Sequence, residues 1–153
     1  MMTTASKVIS ALAGKSLVTA ESLTGGGIGA ALTAVSGASK VFKGGIISYT
    51  DQVKHQLLGV SVDILSVFGA VSAPVAEAMA IGARKALQAD VAVAVTGLAG
   101  PDGDEFGHSV GTVFIGYADE SGSTVGEYHF FGDREAVRNQ TIEAALQVIL
   151  AHV

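Results

Sequence analysis

Residues 16–27 read Ser16-Leu17-Val18-Thr19-Ala20-Glu21-Ser22-Leu23-Thr24-Gly25-Gly26-Gly27. A short β-prone run ends in a glutamate and a serine, glycines follow, and residues 28–35 are apolar and rich in alanine. The order is strand, glycine-rich turn, helix, the alternation from which α/β layer folds are built. A serine at such a strand end projects from the side of the sheet where ligands bind in α/β folds.

Working outward, residues 4–12 predict a first helix that Gly14 stops. Residues 45–49 predict a second strand, and Thr50 can N-cap a helix that carries Val53, Leu57 and Leu58 and closes at Gly59. Residues 62–68 predict another short helix ended by Gly69, and Pro74 suits the first turn of the next one. There Val75, Met79, Ala83 and Leu87 recur every four residues, opposite Glu77, Arg84 and Lys85. Val91-Ala92-Val93-Ala94-Val95 is a continuous apolar run of the kind buried on both faces of a sheet. Residues 110–118 and 125–131 predict paired strands around Ser121-Gly122, and Asp133 caps a final helix through Leu150. No internal repeat or linker interrupts the series. The expectation is a single α/β domain over residues 1–153: a three-layer α/β/α sandwich with a mixed, mostly parallel sheet and a late β-hairpin.

Composition narrows the function. Of 153 residues, 49% are hydrophobic and 15% charged, which supplies a core and argues against disorder. A formal net charge of -5 gives no electrostatic reason to bind nucleic acid, although a few placed donors still make a local anion pocket. There is no cysteine, which excludes disulfides, thiolate metal sites and cysteine nucleophiles and fits a reducing compartment. The longest charge-free stretch, residues 22–39, is broken by five glycines, and a membrane span needs about 20 mostly apolar residues. The first 15 residues lack the basic start and apolar run of a signal peptide, so the expected location is cytoplasmic, with no membrane partner. His55, His108, His129 and His152 show no ligand spacing, and Asp102, Asp104 and Glu105 do not form an EF-hand loop, so no metal is expected.

Four segments carry polar groups suited to chemistry. In the first, Ser22 and Thr24 with Gly25 and Gly26 serve either as a nucleophile beside free backbone N–H groups or as an ordinary capped helix start. In the second, Tyr49-Thr50-Asp51-Gln52-Val53-Lys54, a Thr50 cap puts Lys54 in the first helical turn, where the helix dipole disfavours an ammonium. Such a lysine is either a solvated surface residue or a general base for a serine. The third, residues 96–103, sets Thr96 and Gly97 at the end of the most strand-like run, as a ligand contact or a plain turn. The fourth places Arg134 and Arg138 on one helix face, either clamping a phosphate or pairing with Asp133 and Glu135.

Taken together, Thr19-Ala20-Glu21-Ser22-Leu23-Thr24-Gly25-Gly26, residues 42–49, Lys54 with Leu58-Gly59-Val60, Gly69-Ala70-Val71-Ser72, residues 95–103, Val110-Gly111-Thr112-Val113 and residues 132–138 resemble the CinA C-terminal domain family, in its PncC-type nicotinamide-nucleotide amidase form. The resemblance covers nearly the whole chain in order. It implies hydrolysis of the carboxamide of nicotinamide mononucleotide to nicotinic acid mononucleotide and ammonia, within pyridine nucleotide salvage. It further implies Ser22 as nucleophile, Lys54 as its base, Thr96 with Gly97 at the reacting centre, and Tyr49 and Arg134 on the substrate. A homodimer with neither metal nor organic cofactor is implied as well. The oxyanion is expected to meet backbone N–H groups of residues 25–27, or Thr96 with Gly97, and Arg134 with Arg138 to hold the phosphate. Two stretches depart from the family pattern: Leu23 stands where cysteine is common, and Asp104-Glu105-Phe106-Gly107-His108-Ser109 lacks a usual lysine and proline. The alternatives are a non-catalytic nucleotide-binding or regulatory module, and an amidase for a related nucleotide.

Overall fold

Valine and alanine alternate along residues 91–95, and the alternation sorts the two faces of the sheet. Val91, Val93 and Val95 enter one apolar cluster and Ala92 and Ala94 the other, because successive strand side chains point to opposite faces. The computed structural model describes residues 2–153. Its strands are β1 (Leu17–Glu21), β2 (Phe42–Ile47), β3 (Val91–Gly97), β4 (Thr112–Asp119) and β5 (Gly122–His129). They lie in the order β2-β1-β3-β4-β5. β1 pairs in parallel with β2 and β3, whereas β3–β4 and β4–β5 are antiparallel, so only β4 runs against the other strands.

Helices cover both faces. α1 (Thr4–Ala11), α2 (Gly27–Thr33) and α6 (Arg134–His152) pack on the valine face, with Val8, Ile28, Leu32, Val137 and Ile149 in its core. α3 (Asp51–Leu58), α4 (Val62–Phe68) and α5 (Ala73–Ala86) pack on the alanine face through Leu58, Leu65, Val75 and Met79. Small side chains there let α5 approach the sheet closely: a Cβ at Gly116 of β4 would meet the Ala76 carbonyl. No helix among the described residues is long and apolar enough to cross a membrane.

The helix limits follow local chemistry. Thr50 accepts from the Val53 N–H, Ser61 from Ile64, Ser72 from Val75 and Asp133 from Ala136, each relieving an orphan donor at a helix start. α3 ends on Gly59 in the left-handed region. Two strand limits differ from the sequence expectation. β2 spans Phe42–Ile47 rather than residues 45–49. As an edge strand it alternates between half-buried and exposed positions, so Lys43 and the glycines fit where an apolar pattern would not lead. In the hairpin, Asp119 pairs with Gly122, and the strands run tight to the turn while Val110 and Phe131 fall outside them.

The C-terminal ends of three parallel strands meet at one edge, where Glu21 of β1 pairs with Ile47 on one side and Val95 on the other. Ser22, Ser48 and Thr96 therefore emerge as neighbours. The close contact between α5 and α3, in which Gly82 lies on the Leu58 carbonyl, leaves no room for a methyl group. Gly82→Ala is expected to lower the unfolding free energy by roughly 1–3 kcal/mol through overpacking, read as a lower urea midpoint at unchanged slope.

Candidate active site

Ser22 leaves β1 with its N–H still bonded to the Val95 carbonyl (3.2 Å), which fixes the residue at the strand end. Its side chain meets a lysine. Lys54 Nζ lies 3.1 Å from Ser22 Oγ, 2.8 Å from the Ser48 carbonyl and 3.1 Å from the Tyr49 carbonyl. Thr50 caps α3 and places Lys54 in its first turn, and the side chain runs inward until Lys54 is only 1% exposed. Burial lowers its pKa to about 8, against a smaller opposing effect of the Asp51 carboxylate. As an ammonium, Lys54 spends its three hydrogens on those three acceptors. As a neutral amine it keeps two hydrogens for the carbonyls and turns its lone pair to the Ser22 hydroxyl, an arrangement able to accept that proton.

A cleft of about 390 Å³ opens over these groups, and Ser22, Tyr49, Lys54, Thr96, Gly97 and Arg134 all line it. Thr96 is buried and its hydroxyl donates to the Ala70 carbonyl at 2.8 Å, so its hydrogen is already committed. At Gly97 a Cβ would press on Val113 and the Thr112 carbonyl, which makes glycine obligatory beside β4. Arg134 donates to the Gly100 carbonyl (2.7 Å) and the Tyr49 hydroxyl (3.2 Å), closing one end of the cleft.

The other expected site residues lie elsewhere. Thr24, Gly25 and Gly26 do not line the cleft. The Thr24 hydroxyl donates to Glu21 at 2.6 Å, the Gly25 N–H to the Ser22 carbonyl and the Gly27 N–H to the Thr24 carbonyl. Residues 25 and 27 thus have no free N–H to offer an oxyanion. Arg138 does not join Arg134 in the cleft either, although both border a shallow surface on α6. Its guanidinium donates to the Leu23 carbonyl (2.9 Å) and the Thr24 carbonyl (3.2 Å) and so braces the Ser22 turn against α6.

Sequence reasoning missed Glu21. It is 2% exposed and accepts from Thr19 Oγ1 (3.1 Å), Thr24 Oγ1 (2.6 Å), the Ile28 N–H (2.8 Å) and the Gly29 N–H (3.0 Å). The anion occupies the N-terminus of α2, where free N–H groups and the helix dipole favour it. The signal was a carboxylate three residues before a threonine and just ahead of a helix start. No group of three or more His, Asp or Glu side chains able to hold a metal occurs among the described residues.

The profile of the CinA C-terminal domain matches residues 2–153. The chain belongs to the CinA C-terminal domain family. A CinA-like protein of Geobacter sulfurreducens is 47% identical over 133 residues, covering 87% of this chain and 32% of its own length. This family member therefore spans about a third of such CinA-like relatives. A nicotinamide-nucleotide amidohydrolase PncC of Enterobacter agglomerans is 47% identical over 132 residues, covering 86% of this chain and 80% of its own. Among solved structures, a CinA superfamily protein of Escherichia coli superposes with a TM-score of 0.94 at 35% identity, covering 99% of this chain and 91% of its own.

Glu21→Gln sets an amide NH₂ against donors and leaves buried N–H or O–H groups unpaired. It is expected to cost roughly 1–3 kcal/mol of stability and to speed hydrogen exchange at Ile28 and Gly29 more than in α5.

Proposed function

We propose that this family member hydrolyses the carboxamide of nicotinamide mononucleotide, releasing ammonia and nicotinic acid mononucleotide. The observation that carries the reading is the 3.1 Å contact between Ser22 Oγ and a buried, readily deprotonated Lys54, in a cleft that also holds Arg134. The amidohydrolase name of a relative that is 47% identical supports the substrate.

Neutral Lys54 takes the Ser22 proton as Oγ attacks the carbonyl carbon. Leu23 lines the cleft and its N–H meets no protein acceptor among the described residues, so this group, next after the nucleophile, is free to donate to the developing oxyanion. One such donor is worth roughly 2.7–4 kcal/mol in the transition state. Lys54 then returns the proton to the departing nitrogen, ammonia leaves, and water hydrolyses the ester by the reverse proton path. Arg134 holds the 5′-phosphate away from the reacting carbon, where binding energy is used to position the carbonyl. Thr96, with its hydroxyl held by Ala70, acts as a wall rather than a proton carrier.

The test is ammonia release from nicotinamide mononucleotide. Ser22→Ala and Lys54→Ala are each expected to reduce kcat by about 10³-fold or more with the fold retained; a Lys54→Ala variant of near-normal rate would end the proposal. The active form is the deprotonated one, and burial lowers the Lys54 pKa to about 8. kcat/KM therefore rises as pH increases toward 8 and levels above it, and this limb disappears in any residual activity of Lys54→Arg.

Arg134→Ala is expected to reduce kcat/KM by about 10–100-fold for the mononucleotide and far less for nicotinamide riboside, since only the former presents a phosphate. Equal losses on the two substrates would remove Arg134 from the phosphate site.

A further inference from the structure

A second hollow, of about 720 Å³, adjoins the Ser22 cleft, and the two share Ala70, Val71 and Leu98 as walls. Thr96, through its bond to the Ala70 carbonyl, ties this shared wall to β3. The far side of the hollow is built from Val62 and Leu65 of α4 and from Phe106, whose ring lies directly over Gly69. Asp51, Asp104 and Glu105 also line it, and no lysine, arginine or histidine does. The neighbouring cleft differs in having two cations, Lys54 and Arg134, against one carboxylate, Asp102, in its walls.

The hollow adjoins the helical turn that carries the proton donor of the proposed reaction. Asp51 and Gln52, in the first turn of α3, form part of its wall, and the same turn carries Lys54, the group that protonates the departing nitrogen. Arg134, which holds the other end of the substrate, lines the cleft and not the hollow. Ammonia needs almost none of this volume. A substituent on the amide nitrogen would fill it.

The geometry points to a further activity: hydrolysis of secondary carboxamides whose amine half is an alkyl chain ending in a cation. This rests on the Ser22–Lys54 reading above and extends it to the nitrogen side. Ser22 Oγ bonds to the carbonyl carbon as the C–N bond breaks, Lys54 passes the serine proton to the leaving nitrogen, and the free amine departs through the hollow. Water then cleaves the ester to the carboxylic acid and restores the serine, with no change of oxidation state. The apolar walls take the chain, and the Asp51 and Glu105 carboxylates set the sign of its terminal charge, Asp104 being engaged with His108 and the loop backbone.

The experiment follows formation of the common product, nicotinic acid mononucleotide, from four substrates: nicotinamide mononucleotide and its N-pentyl, N-(5-aminopentyl) and N-(4-carboxybutyl) amides. The aminopentyl amide is expected to be cleaved within about tenfold of the primary amide, and at least about tenfold faster than the carboxybutyl amide. Glu105→Lys is expected to lower the ratio of aminopentyl to primary amide turnover by about tenfold. Cleavage of the primary amide with none of the three N-alkyl amides overturns the extension and leaves the Ser22–Lys54 reading standing. N-alkyl turnover blind to terminal charge overturns the cationic class. Failure on all four substrates removes the underlying reading and the extension with it.

Discussion

The site depends on burying one amine. An ammonium 1% exposed is costly unless each hydrogen finds an acceptor, and the acceptors here are Ser22 Oγ and the carbonyls of Ser48 and Tyr49. Those carbonyls are free because the chain leaves the sheet after Ile47, where the Ser48 N–H turns back to the Glu21 carbonyl at 2.7 Å. α3 begins at once, at Asp51, and returns Lys54 to the same point. The parallel pairing of Glu21 with Ile47 thus sets both the serine and the acceptors that draw the lysine in. A slip of one residue would send each side chain to the opposite face. The desolvation that makes the amine expensive is also what brings its pKa to about 8, so cost and reactivity have one origin.

Two charges reach this strand end from opposite layers. Glu21 points to the valine face and closes the start of α2, while Lys54 arrives with α3 on the alanine face. Ser22 sits between them at the edge. Glu21 fixes the turn that follows, and Arg138 braces the Leu23 and Thr24 carbonyls from α6. The serine is therefore held from its own strand, from the next helix and from the last one. In the flanking turn the Gly25 and Gly27 N–H groups bond back to the Ser22 and Thr24 carbonyls, which holds the shape of the chain after the serine.

What the sequence discloses about this site is local. Thr50 as a cap, Gly59 as a stop and the strand end at Ser22 are readable because each depends on bonds within a few residues. Lys54 was readable for the same reason: the cap alone places it in the first turn. Arg138 was not. Spacing correctly sets it on one face with Arg134, but packing of α6 against the Ser22 turn decides that its guanidinium meets backbone carbonyls. β2 escaped in part because an edge strand needs no continuous apolar run, and residues 42–44 carry none. Glu21 escaped because a carboxylate in the last strand position ordinarily signals exposure, and only the arrival of α2 supplies the donors that bury it.

The loop that departs from the family pattern, residues 104–109, borders the hollow beside α4 rather than the cleft with Ser22. Without the usual proline it is held by Asp104, whose carboxylate accepts from the Phe106 N–H (3.2 Å) and the His108 N–H (2.9 Å) and contacts His108 Nδ1 at 2.7 Å. These side chain–backbone bonds give the turn its shape without restricting φ through a ring. Residues 104–106 then face the hollow beside α4, whereas the cleft with Ser22 is bordered only as far as Asp102. The loop residues do not line the cleft with Ser22, Lys54 and Arg134, and they form part of the wall of the hollow. Asp51 and Glu105 leave this wall acidic, while Arg134 lies in the neighbouring cleft, so the two spaces differ in electrostatic character.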